Sequence, residues 1–459
     1  MQSARVIATR VTATLSCAVE YPPLMNTPKH FVVLGAGPMG LMAAMELLKA
    51  GHEVDIYERD DRIGGMSATF DFDGLEIERY YHYLCKTDYA FFKLLEELGL
   101  SHTLRWVDTH MGYFYNGKLQ DWGNPVALLK FDGLGLVGKF RYGLHALRAK
   151  SVKDWRPYDQ LLGQQWVRRW VGSRAYDVLW KSLFDLKLYE YADKISAAWI
   201  GARIQRMGNS RRSLMHESLG YLEGGSATLL NAMERFITER GGRIHLKSGI
   251  ERVTVRDNCV AGIVTNGTEL PCDAVVWTAP IQYVPRVVPD LPPEFVSRID
   301  AIQNIPVACV ILKLSQPLSR NFWTNINDPA MGIPGVIEYS NLNPECGKTI
   351  VYAPFYMPKT HPKWSRPNEA FIEETIGYLG RVNPAFKREW VLARHCHRYD
   401  FAQTICPPGF YDMLPPMHTP IEGLSMADTA YYYPEDRSIN ESVRVARLLA
   451  DTAIQGSNT

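Results

Sequence analysis

The run Phe31-Val32-Val33-Leu34-Gly35-Ala36-Gly37-Pro38-Met39-Gly40 constrains this chain more than any other stretch. Four apolar residues make a short buried strand, and three glycines at this spacing then open a helix expected over about Met39 to Ala50. Gly35 allows a tight turn, Gly37 lets backbone approach a pyrophosphate, and Gly40 lets the helix pack closely on the strand. The helix aims N–H groups and the positive end of its dipole at that pyrophosphate, with Pro38 and Met39 in its first turn. A second strand over His52 to Tyr57 ends at Glu58, with Arg59 beside it. The Glu58 carboxylate can accept hydrogen bonds from ribose hydroxyls. A glycine triplet alone is a weak signal. Strand before, helix after and an acid at this distance together read as a dinucleotide-binding βαβ unit.

The rest of the composition excludes several classes. A chain of 459 residues holds two or three domains. Its formal charge of +1, with no long basic run, argues against a nucleic-acid partner and for a small-molecule one. No stretch reaches the uninterrupted apolar length of a membrane span. The eight cysteines contain no CxxC pair, so neither a zinc site nor a redox dithiol is expected, and reduced thiols in a cytoplasmic protein are. His395-Cys396-His397 resembles a metal cluster, but alternate strand residues face opposite sides, so at most the two histidines share a ligand. No metal is expected. Residues 1–24 carry Arg5, Arg10 and a single acid, and read as a leader or as a mis-assigned start ahead of Met25.

Along the chain, Ala68–Phe72 and Leu75–Glu78 flank Asp73-Gly74 and read as a hairpin with a type I′ turn. A helix is expected from Tyr89 to Leu100, ending at a glycine. Residues 86–215 lean helical and read as a substrate or cap region. Within it, Val126 to Lys150 could rest on a membrane surface or line an apolar pocket, and we read it as an amphipathic core helix pair. Strands over Ile250–Arg256, Cys259–Thr265 and Asp273–Thr278, punctuated by turn pairs, read as a three-stranded meander. Residues 286–399 read as a mixed-sheet substrate domain. The final strand ends in Asp428, and a helix starts near Ser438 or Asn440. The expected architecture is α/β, a Rossmann-type dinucleotide-binding domain built from 25–85, 216–285 and 400–459, with an inserted α+β substrate domain.

This order of motifs resembles the flavin amine oxidase superfamily, whose members include monoamine oxidases, protoporphyrinogen oxidases, phytoene-type desaturases and UDP-galactopyranose mutases. The features concerned are the glycine loop, Gly64-Gly65, Gly224-Gly225, the meander and the closing strand–Asp428–helix. Tyr80-Tyr81-His82-Tyr83 and Tyr433-Pro434-Glu435-Asp436-Arg437 are most similar to bacterial protoporphyrinogen-oxidase-like and phytoene-desaturase-like members. The resemblance implies non-covalent FAD. Arg62 would lie near the diphosphate, with Gly64, Gly65, Met66 and Ser67 along the extended cofactor. A second glycine pair soon after the ribose acid suits a cofactor that continues past its diphosphate. Met66 stands where the family commonly has an arginine, and Ala427 where a glycine usually precedes the acid. By the same resemblance Val253 would hold the adenine through its backbone, Asp428 the ribityl or phosphate region, and Ile439 and Asn440 would start the helix that points at the flavin carbonyl.

For the chemistry, flavin accepts hydride and the protein places the reactants. Candidate catalytic groups are His82, as a general base, with Tyr81 and Tyr432. Candidate substrate contacts are Arg79, Arg203 and Tyr431. Arg203, Arg206, Arg211 and Arg212 form a basic cluster that can bind phosphate or carboxylate. Cys406, before Pro407-Pro408-Gly409, faintly resembles a cysteinyl-flavin segment. Three functions follow from the resemblance. One is an FAD-dependent oxidase or dehydrogenase acting on a C–C or C–N bond of a cyclic or isoprenoid-like molecule. Another is a UDP-galactopyranose-mutase-like isomerase of a nucleotide sugar. The third is a non-catalytic flavin-binding partner protein. Peripheral membrane contact is compatible with all three.

Overall fold

The computed structural model describes residues 27–456. The expectation for residues 1–24 lies outside them. Five parallel strands form the first sheet, in the order Leu424–Met426, Ala274–Trp277, His30–Leu34, Glu53–Tyr57 and Arg243–His245. The central strand is almost wholly buried, which is why it reads as an unbroken apolar run. Helix Pro38–Lys49 covers one face and packs between Ile439–Gly456 and Gly225–Glu239. The first and last segments of the described chain therefore meet in one layer, as a Rossmann-type domain closed by its C-terminal helix requires.

The meander exists, but with a different third strand. Ile250–Arg256, Cys259–Thr265 and Thr268–Pro271 pair antiparallel. The turns fall at Asp257-Asn258 and Asn266-Gly267, all four at positive φ. Ala274–Trp277, expected within the third meander strand, belongs to the parallel sheet instead. All four of its residues are buried, whereas Thr268–Pro271 is mostly exposed. The Asp73-Gly74 hairpin forms as expected, with φ of 54° and 78° at its two turn residues.

A second sheet of seven strands runs in the order Val391–Thr404, Asn304–Leu314, Thr349–Tyr356, Gly335–Glu338, Trp323–Asn327, Met111–Tyr115 and Lys118–Trp122. Its alternation divides two cores. Ala308, Val310 and Leu312 pack with helix Asn368–Val382, while Val307, Cys309 and Ile311 face the core shared with the parallel sheet. The last two strands of this sheet correct the helical reading of residues 86–215. That segment contains three strands, Leu104–Thr109 pairing with Glu217–Leu222 and the two others completing the sheet. Helices then follow from Pro125 to Asn209. Leu136–Lys150 is a helix as expected, but not a core one, since only His145 and Ala149 are buried on it. Among the described residues no helix is long and apolar enough to cross a membrane.

Candidate active site

The C-terminal ends of the parallel strands open into a cleft of about 800 Å³, close to the upper end of ordinary ligand cavities. The cleft begins at Glu58, Arg59 and Ser248–Ile250 and passes the glycine loop and Thr278–Pro280. It continues past Asp428 and Ile439, and reaches the seven-stranded sheet at Val307, Cys309 and Tyr356. Its walls thus come from both sheets and from the helical segment.

At the glycine loop, Gly35 has φ 106° and its N–H donates to Tyr57 O at 2.9 Å. Gly40 is a packing glycine, since a Cβ there would lie 1.9 Å from Gly35 O. Gly37 is different. A Cβ there would meet nothing within 4 Å and would project into open space, and this residue lines the cleft. No side chain caps the helix that follows, so its first N–H groups remain for a ligand. Glu58 is held at the end of its strand by Ala36 N–H and Asp60 N–H, each at 2.8 Å, one to each carboxylate oxygen. Lone pairs remain on both oxygens for ribose hydroxyls.

Asp428 lies deeper in the cleft. Its oxygens accept from Ala430 N–H at 2.9 Å and Ile281 N–H at 3.0 Å. Burial pushes its carboxyl up to about 6, and these two N–H groups limit the rise. Ser438, Ile439 and Ser442, at the start of the last helix, line the same region. His82 is fixed at both ring nitrogens, with Nδ1 2.7 Å from Glu78 Oε2 and Nε2 3.3 Å from Ser67 Oγ. Glu78 is itself buried and accepts from Ser226 N–H at 3.0 Å and from the Ser226 hydroxyl. Tyr81 stands edge-on to Trp323 and Tyr352, and Tyr432 hydrogen-bonds Ser442 Oγ at 2.7 Å. Arg79 pairs with Asp60, and Arg203 with Asp436.

Most sequence candidates therefore share the cleft: Gly35, Gly37, Pro38, Met39, Glu58, Arg59, Gly65, Met66, Ser67, Arg79, Tyr81, His82, Arg203, Asp428, Tyr432 and Ile439. Six stand outside its lining. Gly40 serves helix packing. Gly64, at φ 107°, does the same, since a Cβ added there would stand only 2.6 Å from Leu230 Cδ1. Arg62 is occupied by Asp61 and by Thr69 O. Val253 is fully buried in the meander. Tyr431 donates to Pro415 O, and Asn440 ties the last helix to Phe91 N–H, so neither side chain is offered to a ligand. Cys406 is buried and likewise not part of the lining. His395 and His397 share one face with ring centroids 4.1 Å apart, and among the described residues no group of three or more His, Cys, Asp or Glu could hold a metal.

Sequence reasoning missed Tyr283 and Thr278–Pro280, which follow a buried parallel strand, the position where such sheets take ligands. It also missed Lys187, and it marked Asp436 and Arg437 only as part of a family-like run, not as site residues. Lys187 is buried over the rings of Trp199 and Tyr356, and burial with the neighbouring Arg203 pulls its ammonium well below the usual range.

A dinucleotide-flavin fits this cleft. The open helix end and the bare Gly37 can accept a diphosphate and Glu58 a ribose, and the same cleft runs on past them to Asp428 and Ile439. A sequence profile of the family described as flavin containing amine oxidoreductase matches residues 40–449. A 15-cis-phytoene desaturase of Glycine max is 22% identical over 494 aligned positions, covering 97% of this chain and 83% of the relative. A protein of Exiguobacterium sp. 255-15, provisionally assigned as a protoporphyrinogen oxidase, superposes with TM-score 0.73 at 17% identity, covering 93% and 98% of the two chains. Putrescine oxidase bound to putrescine superposes with TM-score 0.68 at 18% identity, covering 94% and 99%.

Proposed function

The chain belongs to the flavin-containing amine oxidoreductase family, and from that premise we propose that it oxidises a C–C or C–N bond of a cyclic or isoprenoid-like small molecule with non-covalent FAD. Family membership makes it a flavin-dependent oxidoreductase; the bond and the substrate class are the proposal. The observation that supports it is the continuity of one cleft from Glu58, through the glycine loop, to the tyrosine-lined wall formed by Tyr81, Tyr83 and Tyr356.

Bound flavin supplies a hydride acceptor. Gly37 and the helix behind it bind the diphosphate, and Glu58 orients the ribose. Asp428 would accept hydrogen bonds from the cofactor's ribityl region, and the N-terminal turn of the last helix, with its positive dipole end, would stabilise negative charge near Ile439. Tyr81, Trp323 and Tyr356 exclude water from the reacting end. His82, oriented by Glu78, can take a proton at Nε2, where only the 3.3 Å contact to Ser67 Oγ competes.

A second reading, an isomerase acting on a nucleotide sugar with reduced flavin, is favoured by Arg203, Arg206 and Arg437 along the cleft. Anaerobic mixing separates the readings. An oxidoreductase bleaches on mixing with its substrate. An isomerase acts only after chemical reduction and binds uridine diphosphate. A flavin-binding partner protein does neither, and that result across cyclic, isoprenoid and sugar-nucleotide compounds would remove the proposal.

A further inference from the structure

Where the cleft reaches the last helix, three cations surround one carboxylate. Arg203 donates to Asp436, Lys187 Nζ stands 3.8 Å from the same Oδ2, and Arg437 follows it in the chain and donates from Nη2 to Tyr356 OH at 3.4 Å. Arg437 Nε is buried with no hydrogen-bond partner among the described residues. Arg206 is nearby but satisfied, because Asp88 takes both Nε and Nη2. The other groups around Arg203 and Arg437 are the Tyr81, Tyr83 and Tyr356 hydroxyls, none of them a carboxylate, while Glu435, the residue before Asp436, is buried and interacts with Arg206. Asp436 therefore answers one cation of three. Buried charge of one sign is costly unless it is matched, and guanidinium groups match planar or tetrahedral oxyanions.

We infer that Lys187, Arg203 and Arg437 form an oxyanion site for the substrate, so that the molecule oxidised carries a carboxylate or phosphate group rather than an amine or a bare hydrocarbon. The inference rests on the reading of this cleft as the substrate site. Burial and the guanidinium groups of Arg203 and Arg437 disfavour the Lys187 ammonium, while Asp436 favours it, and a second anion beside it would favour it further.

The test uses the flavin-loaded protein and four eight-carbon probes that differ only in head group: octanoate, octyl phosphate, octanol and octylamine. Binding is followed by perturbation of the flavin absorption spectrum. At least one of the two acids is expected to bind tenfold or more tightly than the alcohol and the amine, and which one separates a carboxylate from a phosphate substrate. Arg203→Met, Arg437→Met and Lys187→Met should each weaken that binding at least tenfold. Arg256→Ala, at an exposed arginine of the meander outside the cleft lining, should change nothing. Equal affinity for octanol or octylamine overturns the site. So does a lowered flavin reduction potential in Arg437→Met with anion affinity unchanged, since the cations would then serve the flavin. Anion binding without any bleaching substrate would leave this site standing while the oxidase reading fails.

A separate observation carries a second inference. Helix Leu136–Lys150 is apolar on two faces. His145 and Ala149 pack inward, while Leu136, Val137, Phe140, Leu144 and Leu147 are 75%, 73%, 73%, 46% and 56% exposed. Leu129, on the preceding helix Pro125–Lys130, adds another exposed side chain. Residues 125–153 contain six cations and a single acid, Asp132. An apolar face with a basic surround suits an anionic lipid surface, and repels a second copy brought against the same face. The geometry points to this helix as a membrane-resting face. The full chain should co-sediment with vesicles of phosphatidylglycerol and phosphatidylcholine, and less with phosphatidylcholine alone. Phe140→Glu with Leu144→Glu should reduce sedimentation at least tenfold while flavin content stays unchanged. Retained sedimentation of that variant refutes the face. So does a dimer in light scattering that the variant dissolves, because a second copy would then be the occupant.

Discussion

The two glycines of one loop should fail in different ways. Gly40→Ala places a Cβ 1.9 Å from Gly35 O and 2.7 Å from Thr278 Oγ1, against the 3.0 Å that real Cβ atoms keep. The first contact is with backbone, so helix Pro38–Lys49 must retreat from its strand by about 1.1 Å. Overpacking of this kind costs about 1–3 kcal/mol, and the same shift moves the ligand-facing N–H groups. Gly37→Ala meets no atom within 4 Å, and the φ of −71° and ψ of 173° suit alanine. The flavin-free protein should therefore be as stable as wild type, or about 0.4–1 kcal/mol more stable through a less free unfolded chain. Its new methyl stands where the diphosphate must approach, and a misplacement of this size is worth roughly a hundredfold, or about 2.7 kcal/mol in affinity. The assay is thermal unfolding of the flavin-free proteins beside fluorescence titration with FAD. Gly40→Ala should lose both stability and flavin, and Gly37→Ala flavin alone. Normal flavin affinity in Gly37→Ala would refute the placement of the diphosphate at this loop.

Three further outcomes follow from single side chains. Asp55, 3% exposed in the parallel sheet, accepts from Arg243 Nε at 2.7 Å and Nη2 at 2.6 Å, and lies 2.7 Å from both His245 Nε2 and His30 Nε2. These partners outweigh burial and hold its carboxyl well below the usual range, so Asp55→Asn should cost about 3 kcal/mol in denaturant unfolding at neutral pH, a penalty that shrinks as the pH is lowered through the acid range. Glu217 moves oppositely, because burial pushes its carboxyl up to about 7 from 4.5 and leaves Oε1 without a partner. A raised carboxyl stabilises the fold least when ionised, so wild type should lose up to about 3 kcal/mol relative to Glu217→Gln as pH rises from 4.5 through 7, and parallel stability curves would contradict this. His82→Gln should slow anaerobic flavin reduction by roughly a hundredfold at unchanged flavin content, and an unchanged rate would mean that hydride leaves without that base.

What the sequence carried locally was legible, and what the fold assembles from distant segments was not. The glycine loop, Glu58 and the Asp73-Gly74 turn depend on backbone conformations that a few adjacent residues dictate. Thr268–Pro271 was missed because an exposed edge strand has no apolar alternation, while the fully buried Ala274–Trp277 carried the stronger signal and drew the meander onto itself. Met111–Tyr115 pairs in parallel with Trp323–Asn327, some two hundred residues later, and nothing near it announces that partner. Helix Leu136–Lys150 misled for another reason. Periodicity reports that a face is apolar, not what covers it, and here two faces are apolar and only one meets protein. At the site, Arg203 stood out as part of a basic run, but Lys187 became visible only when the fold set it against Asp436.

The oxyanion site and the exposed apolar helix meet through a single element. Helix Ala197–Asn209 packs against Leu136–Lys150, with Gly208 beside Lys150, and carries Arg203 and Arg206 into the cleft. Two helices packed 8–10 Å apart place the exposed apolar residues roughly 20 Å from the cleft cations. A substrate with an anionic head and an apolar body could then leave a bilayer tail-last, its head drawn inward by charge. Phe140→Glu with Leu144→Glu tests the connection. With substrate presented in vesicles, KM should rise about tenfold at constant kcat, because delivery fails while the cleft is intact. With the same substrate dispersed in detergent, both constants should match wild type. A fall in kcat under both conditions would show that the helix supports the cleft itself and has no part in delivery.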